Sequence, residues 1–179
     1  MIKYIALAVA ALLVGADQWV KAWAYAGLDQ RITVIPGLFY LTYLENTGAA
    51  FGLFQGRAFA LGVVSIVILG GVLYLMLSGK TKGRVLIWGL SLILAGGVGN
   101  LIDRLVRGFV IDFLDFSALF GFPIFNLADC YVVVGTLFLL VHIIFFEGKK
   151  PVPAETGPDD PQEIENVQLS ESEQTGGNS

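Results

Sequence analysis

Residues 96–130 read GGVGNLIDRLVRGFVIDFLDFSALFGFPIFNLADC. Asp103 and Arg104 close one long apolar run, Asp112 and Asp115 fall in the connection, and Asp129 lies just inside the next run. A charged side chain at membrane depth costs roughly 3 kcal/mol on insertion scales, so ionisable residues bracketing apolar spans mark a functional site by default. The stretch therefore settles two matters together. The chain crosses a membrane, and its chemistry sits where two spans end among carboxylates.

Working outward, the composition agrees. Of 179 residues 55% are hydrophobic and only 15% charged, with a mean hydropathy of +0.72, too apolar for an ordinary soluble domain. The formal charge of -4 is misleading, because seven of the fifteen acids and none of the eleven bases lie after Pro151. Removing those seven leaves eight acids against eleven bases, so the membrane part is mildly basic. Nothing in this balance points to nucleic acid. A single cysteine, Cys130, excludes an internal disulfide or a CxxC site. The lone His142 lies in an apolar helical run, where a histidine facing neighbouring helices is expected rather than a metal ligand, since a metal site needs several convergent ligands.

Four runs are long enough to cross about 30 Å of hydrocarbon: residues 5–23, 58–77, 85–103 and 127–146. The first has the look of a secretory signal, with Lys3 ahead of an apolar core, but its helical pattern continues through Trp19 and Trp23 past any cleavage point. Lys3, the cluster Lys80, Lys82 and Arg84, and the pair Lys149 and Lys150 place both termini in the cytoplasm. Residues 29–57 and the loop after Asp103 then lie outside, with the carboxylates near the outer leaflet. Residues 1–150 form one membrane domain. Residues 151–179, rich in Pro, Glu, Ser and Gly, read as a disordered acidic cytoplasmic tail.

The fold class is thus an all-α integral membrane protein of four transmembrane helices. Between the first and second helices the pattern changes to short β-branched and aromatic runs broken at Pro36 and Gly37, which predict a small extracytoplasmic β platform. The segment Glu45-Asn46-Thr47-Gly48 follows, a turn whose amide and backbone groups are able to face a site. Asp17 and Lys21 have the favourable i,i+4 order for a helical ion pair. Ala95, Gly96, Gly97 and Gly99 offer a small surface to a helix or a substrate backbone.

Asn100, Asp103 and Arg104 fall at i, i+3 and i+4, presenting an amide, an acid and a guanidinium on one helical face. Asp103 is therefore expected to be held by Arg104 or by backbone amides, either as a self-satisfied patch or in the chemistry itself. If the last helix starts at Leu127, Asn126 is its N-cap and Asp129 its N3 residue, and capping alone accounts for both. Capping does not account for Asp112, in the alternating segment Phe109-Val110-Ile111-Asp112-Phe113. Folded back over the helix ends, Asp112 meets Asp129, and two such carboxylates share one proton, holding an acid and a base at one pH. That pair suits water attack on a peptide bond without metal or covalent intermediate. A small ion-coupled transporter or channel subunit is the alternative reading of intramembrane Asp and Arg; the crowding of acids at one face and the lack of repeat symmetry weigh against it.

These residues carry a resemblance. Asp17-Gln18 with Lys21, Asn46-Thr47-Gly48-Ala49-Ala50-Phe51, Gly96-Gly97 through Gly99-Asn100 to Asp103-Arg104, Val110-Ile111-Asp112-Phe113, and Phe122-Pro123 through Asn126 to Asp129 together resemble the motifs of lipoprotein signal peptidase (signal peptidase II), the bacterial intramembrane aspartic peptidase family. The resemblance implies cleavage of diacylglyceryl-modified prolipoproteins before the lipidated cysteine, in the bacterial inner membrane, with no cofactor and by a monomer among membrane lipids. It implies a catalytic pair of Asp112 and Asp129. Asn46, Asn100, Arg104 and Asn126, with Gly48, would hydrogen-bond around the substrate, Asp103, Asp17 and Lys21 would support the site, and residues 29–44 would form a substrate cradle.

Overall fold

In the computed structural model, residues 1–48, 56–79, 81–119 and 121–147 are described. Residues Met1–Phe146 form one compact unit. The expected tail, residues 49–51 of the turn motif, and Lys80, Lys149 and Lys150 lie outside the described residues. Among the described residues four helical spans are long and apolar enough to cross a membrane, the last running Leu127–Phe145; the helices are α1 (Ile2–Gly27), α2 (Ala58–Leu77), α3 (Arg84–Val106) and α4 (Leu127–His142). A π-helical turn, Ile143–Glu147, prolongs α4. The chain is a multi-pass membrane protein. α1 and α3 outrun the predicted spans by several residues, chiefly at their C-terminal ends, Ala24–Gly27 and Arg104–Val106.

α3 is the centre of the bundle. It packs against α1, α2 and α4, and 39% of its apolar window is buried within the protein, against 17–22% for the other three, which turn most of their surface outward. Its small residues let α4 approach. A Cβ on Gly96 would lie 2.1 Å from the Ala128 carbonyl oxygen, and one on Gly135 of α4 would lie 2.7 Å from the Gly89 carbonyl. The glycines serve helix packing; a Cβ on Gly99 would meet Asp17 Oδ2 of α1 at 2.6 Å and Ala128 Cβ of α4 at 3.2 Å.

The platform is a three-stranded antiparallel sheet, order β1-β2-β3, of β1 (Ile32–Ile35), β2 (Phe39–Asn46) and β3 (Val110–Asp115). β1 and β2 form the hairpin predicted between the first two helices; Leu38 N–H donates to the Ile35 carbonyl at 3.1 Å, with Gly37 at φ 74° as the third turn residue. The third strand comes from the α3–α4 connection, where alternation of apolar residues continues around Asp112. In a part of the chain away from water, pairing with β2 satisfies backbone groups that would otherwise be buried unpaired.

Register positions the site. β2 pairs Leu41 with Leu114 but Leu44 with Asp112, so it carries one extra residue between them. Continued without that bulge, Tyr43 would oppose Asp112. With it, Leu44 and Asn46 share the Asp112 face, while Tyr43, Ile111 and Phe113 pack on Ala24 and Leu28 of α1.

Candidate active site

Three devices bring the carboxylates together. The first is a short bridge: Phe113 and Leu114 N–H both donate to the Phe125 carbonyl, at 3.0 and 2.8 Å, and Phe125 N–H donates to the Leu114 carbonyl at 3.1 Å. This ties the start of α4 to β3, so that residue 126 arrives beside residue 112. The second is the capping box of α4. Asn126 Oδ1 accepts from Asp129 N–H at 3.0 Å, and Asp129 Oδ2 accepts from Asn126 N–H at 3.2 Å.

The third is the amide group of Asn126, which the cap leaves free to donate elsewhere. Its Nδ2 reaches Asp112 Oδ1 at 2.6 Å and Asn100 Oδ1 at 3.2 Å. Asn46 Nδ2 donates to the other Asp112 oxygen at 2.9 Å, and Asn100 Nδ2 donates to Asp129 Oδ1 at 2.8 Å. Each oxygen of both carboxylates thus has an amide donor. Asp112 and Asp129 line one cavity of about 1120 Å³, with Asn46, Asn100 and Arg104 around them and Ser65, Gly97, Phe122, Val132 and Val133 continuing into its apolar part.

Asp112 is 1% exposed. Burial pushes its carboxyl up to about 6; the charge of Asp129 adds to the rise, and the hydrogen bonds from Asn46 and Asn126 oppose it. Asp129 is less enclosed and sits in the first turn of α4 as the N3 member of the capping box.

Behind the cavity lies a buried charge cluster. Lys21 Nζ is fully enclosed and donates to Asp17 Oδ2 at 2.9 Å, Asp103 Oδ2 at 2.9 Å and Asn100 Oδ1 at 2.8 Å, using all three of its hydrogens. Asp17 Oδ1 also accepts from Ala128 N–H at 2.9 Å, pinning α1 to the first turn of α4. Lys21 fixes the Asn100 amide as well. With Oδ1 facing the ammonium, Nδ2 must face Asp129.

Asp103 departs from expectation in one respect. Its cationic partners are Lys21 and Arg107, with Gln18 and the Ile111 amide as further donors. Arg104 is not among them: neighbouring helical residues diverge, whereas Arg107 lies at i+4 on the same face. Gln18 Nε2 also reaches the Gly99 carbonyl at 3.0 Å, and Arg107 reaches Gln18 Oε1 at 3.2 Å. The i,i+4 spacing of Asp103 and Arg107 was the available signal for that partner. Arg104 instead donates to the Gly48 carbonyl at 3.1 Å and the Asn100 carbonyl at 3.3 Å, and its Nε is buried without a hydrogen-bond partner beside the cavity. Asp115 proves structural. It accepts from Thr42 Oγ1 at 2.7 Å and Ser117 N–H at 2.9 Å and pairs with Arg31 at 3.0 Å, locking all three strands.

Among the described residues no group of His, Cys, Asp or Glu is arranged to hold a metal ion. Comparison with known proteins adds an independent line. Residues 9–145 match the family model described as signal peptidase (SPase) II. The lipoprotein signal peptidase of Streptococcus thermophilus (strain CNRZ 1066) is 41% identical over 142 residues, covering 78% of this chain and 92% of that protein. That of Clostridioides difficile (strain 630) is 42% identical over 142 residues, covering 77% and 93%. A bacterial membrane enzyme solved by the in meso method at 2.3 Å resolution superposes with a TM-score of 0.75 at 30% identity, over 82% of this chain and 92% of the other.

Proposed function

Because the chain belongs to the signal peptidase II family, matched over residues 9–145, and is thus a membrane peptidase, we propose that it removes signal peptides from diacylglyceryl-modified prolipoproteins. The cut falls before the lipidated cysteine, and Asp112 and Asp129 are the catalytic pair. The observation that carries this reading is the double use of Asn126, which holds one carboxylate through its side chain and the other through its main chain at the wall of one cavity.

On this reading the two carboxylates share one proton, Asp112 acting as the acid and Asp129 as the base. Asp129 takes a proton from the attacking water, and Asp112 gives its own to the carbonyl oxygen as the tetrahedral diol forms. As the diol collapses, one of its hydroxyls returns a proton to Asp112, the carbonyl re-forms, the C–N bond breaks, and the amino group of the lipidated cysteine leaves with the proton from Asp129. Arg104, with two donors on carbonyls and Nε unmatched, stands ready to hold a substrate carbonyl near the reacting atoms. The apolar part of the cavity suits the acyl chains and the spans of α2 and α4 suit the signal helix. The platform and the carboxylates lie on the outer side, both termini in the cytoplasm, and the tail after Pro151 contributes nothing to catalysis.

The test is cleavage of a synthetic prolipoprotein with and without the diacylglyceryl group. Release of the signal peptide only from the lipidated form, insensitive to chelators, supports the reading; no cleavage, or cleavage abolished by chelation, removes it.

A further inference from the structure

A second hollow, of about 400 Å³, adjoins the catalytic cavity. It opens between the end of α1 and β2, where the pairing of β1 with β2 stops at Ile32 and Leu41 while β2 runs on to Asn46. Tyr25, Asp29, Arg31, Thr42, Tyr43 and Glu45 line it, and Glu45 also lines the catalytic cavity. Tyr43 and Glu45 lie on the face of β2 opposite Asp112, so a chain leaving the catalytic cavity reaches this hollow by rounding the unpaired edge of β2 at Glu45.

Its chemistry favours a cation. Arg31 is already matched, by Asp115 at 3.0 Å and by the Tyr40 ring 3.6 Å beneath its guanidinium. Asp29 and Glu45 then leave the hollow net negative. The Tyr25 and Tyr43 rings, 6.1 Å apart at 64°, form one corner, and the Tyr43 hydroxyl donates to Glu45 Oε1 at 2.8 Å, turning that carboxylate to the same side. Aromatic faces beside a carboxylate attract an ammonium or guanidinium group.

We propose that this hollow is the subsite for the mature part of the substrate just beyond the cut, and that it selects a Lys or Arg side chain there. The inference rests on the peptidase reading and adds a specificity to it. Asn46 touches Asp112 and Tyr43 lies three residues back, about 10 Å at ~3.4 Å per strand residue. An extended substrate covers that distance and the crossing of the strand edge in about four residues, so the selected side chain is about the fourth after the scissile bond.

The experiment compares two synthetic diacylglyceryl prolipoproteins, identical except for Lys or Glu at the third and fourth positions after the cut, using the full-length protein. Exposed ion pairs are individually weak, so kcat/KM is expected to favour the Lys substrate by about three- to tenfold. The ratio should fall toward one in Glu45→Gln, and in wild type at about 1 M salt, where screening is strong. Equal kcat/KM for the two substrates in wild type overturns the subsite and leaves the peptidase reading standing, as does a Lys preference that neither Glu45→Gln nor salt reduces. Cleavage of neither substrate brings down the peptidase reading, and the subsite with it.

Discussion

The side-chain amide of Asn126 donates to Asp112 at 2.6 Å while the same residue caps α4 through its other side-chain atom. Helix initiation and the placement of a buried acid are thereby one structural event. Asn126→Asp separates the two roles. It keeps an acceptor for the Asp129 amide, so the cap and the helical content of α4 should persist, any loss of stability coming from the added buried charge rather than from the cap. It also replaces a donor to Asp112 with a third carboxylate, so kcat should fall by about a hundredfold or more. A variant with full activity would show that the amide only caps.

If Asp112 and Asp129 are the proposed proton-transferring pair, Asp112→Asn and Asp129→Asn should each lower turnover by about a thousandfold or more while the protein still folds. Asp103→Asn should behave differently. It leaves Lys21 and Arg107 without a shared anion in a buried cluster, a loss on the order of 3 kcal/mol. Thermal unfolding measured beside activity distinguishes them.

With Asp112 raised to about 6 by burial, its protonated form is present below that pH and lost above it. If Asp112 is the acid, kcat/KM should decline on the alkaline side from about pH 6, and the limb for kcat should lie higher because bound substrate removes further water. Asn46→Ala deletes a hydrogen bond that favours the charged form, so the alkaline limb should move up. A downward shift would contradict the assignment.

Gly96→Ala places a methyl group 2.1 Å from the Ala128 carbonyl oxygen, backbone that cannot yield without parting α3 from α4. It should destabilise by several kcal/mol, on the order of the larger overpacking costs, and lower activity by moving Asp129. Gly15→Ala in α1 meets nothing within 4 Å and should be neutral or slightly stabilising. Unfolding temperatures of the two variants in one detergent provide the comparison.

Much of this was legible in the chain. Four spans follow from apolar length, since no water satisfies a backbone inside a bilayer and only helices close all their bonds locally. The hairpin follows from Pro36-Gly37 between β-branched runs, and the cap of α4 from Asn126 three residues ahead of Asp129, because these are local devices whose geometry depends on neighbours in sequence. What only the tertiary structure decided is non-local. The bulge in β2 determines which face Asn46 shares with Asp112, and one residue of register reverses that answer without any change in local pattern. Asp103 turned to Arg107 and Lys21, and Arg104 to the Gly48 carbonyl, because side chains one residue apart on a helix point to different neighbours. Residue types therefore specified an acid-rich helix end, and packing of α1, α3, α4 and β3 decided which acids are enclosed among cations and which face the cavity.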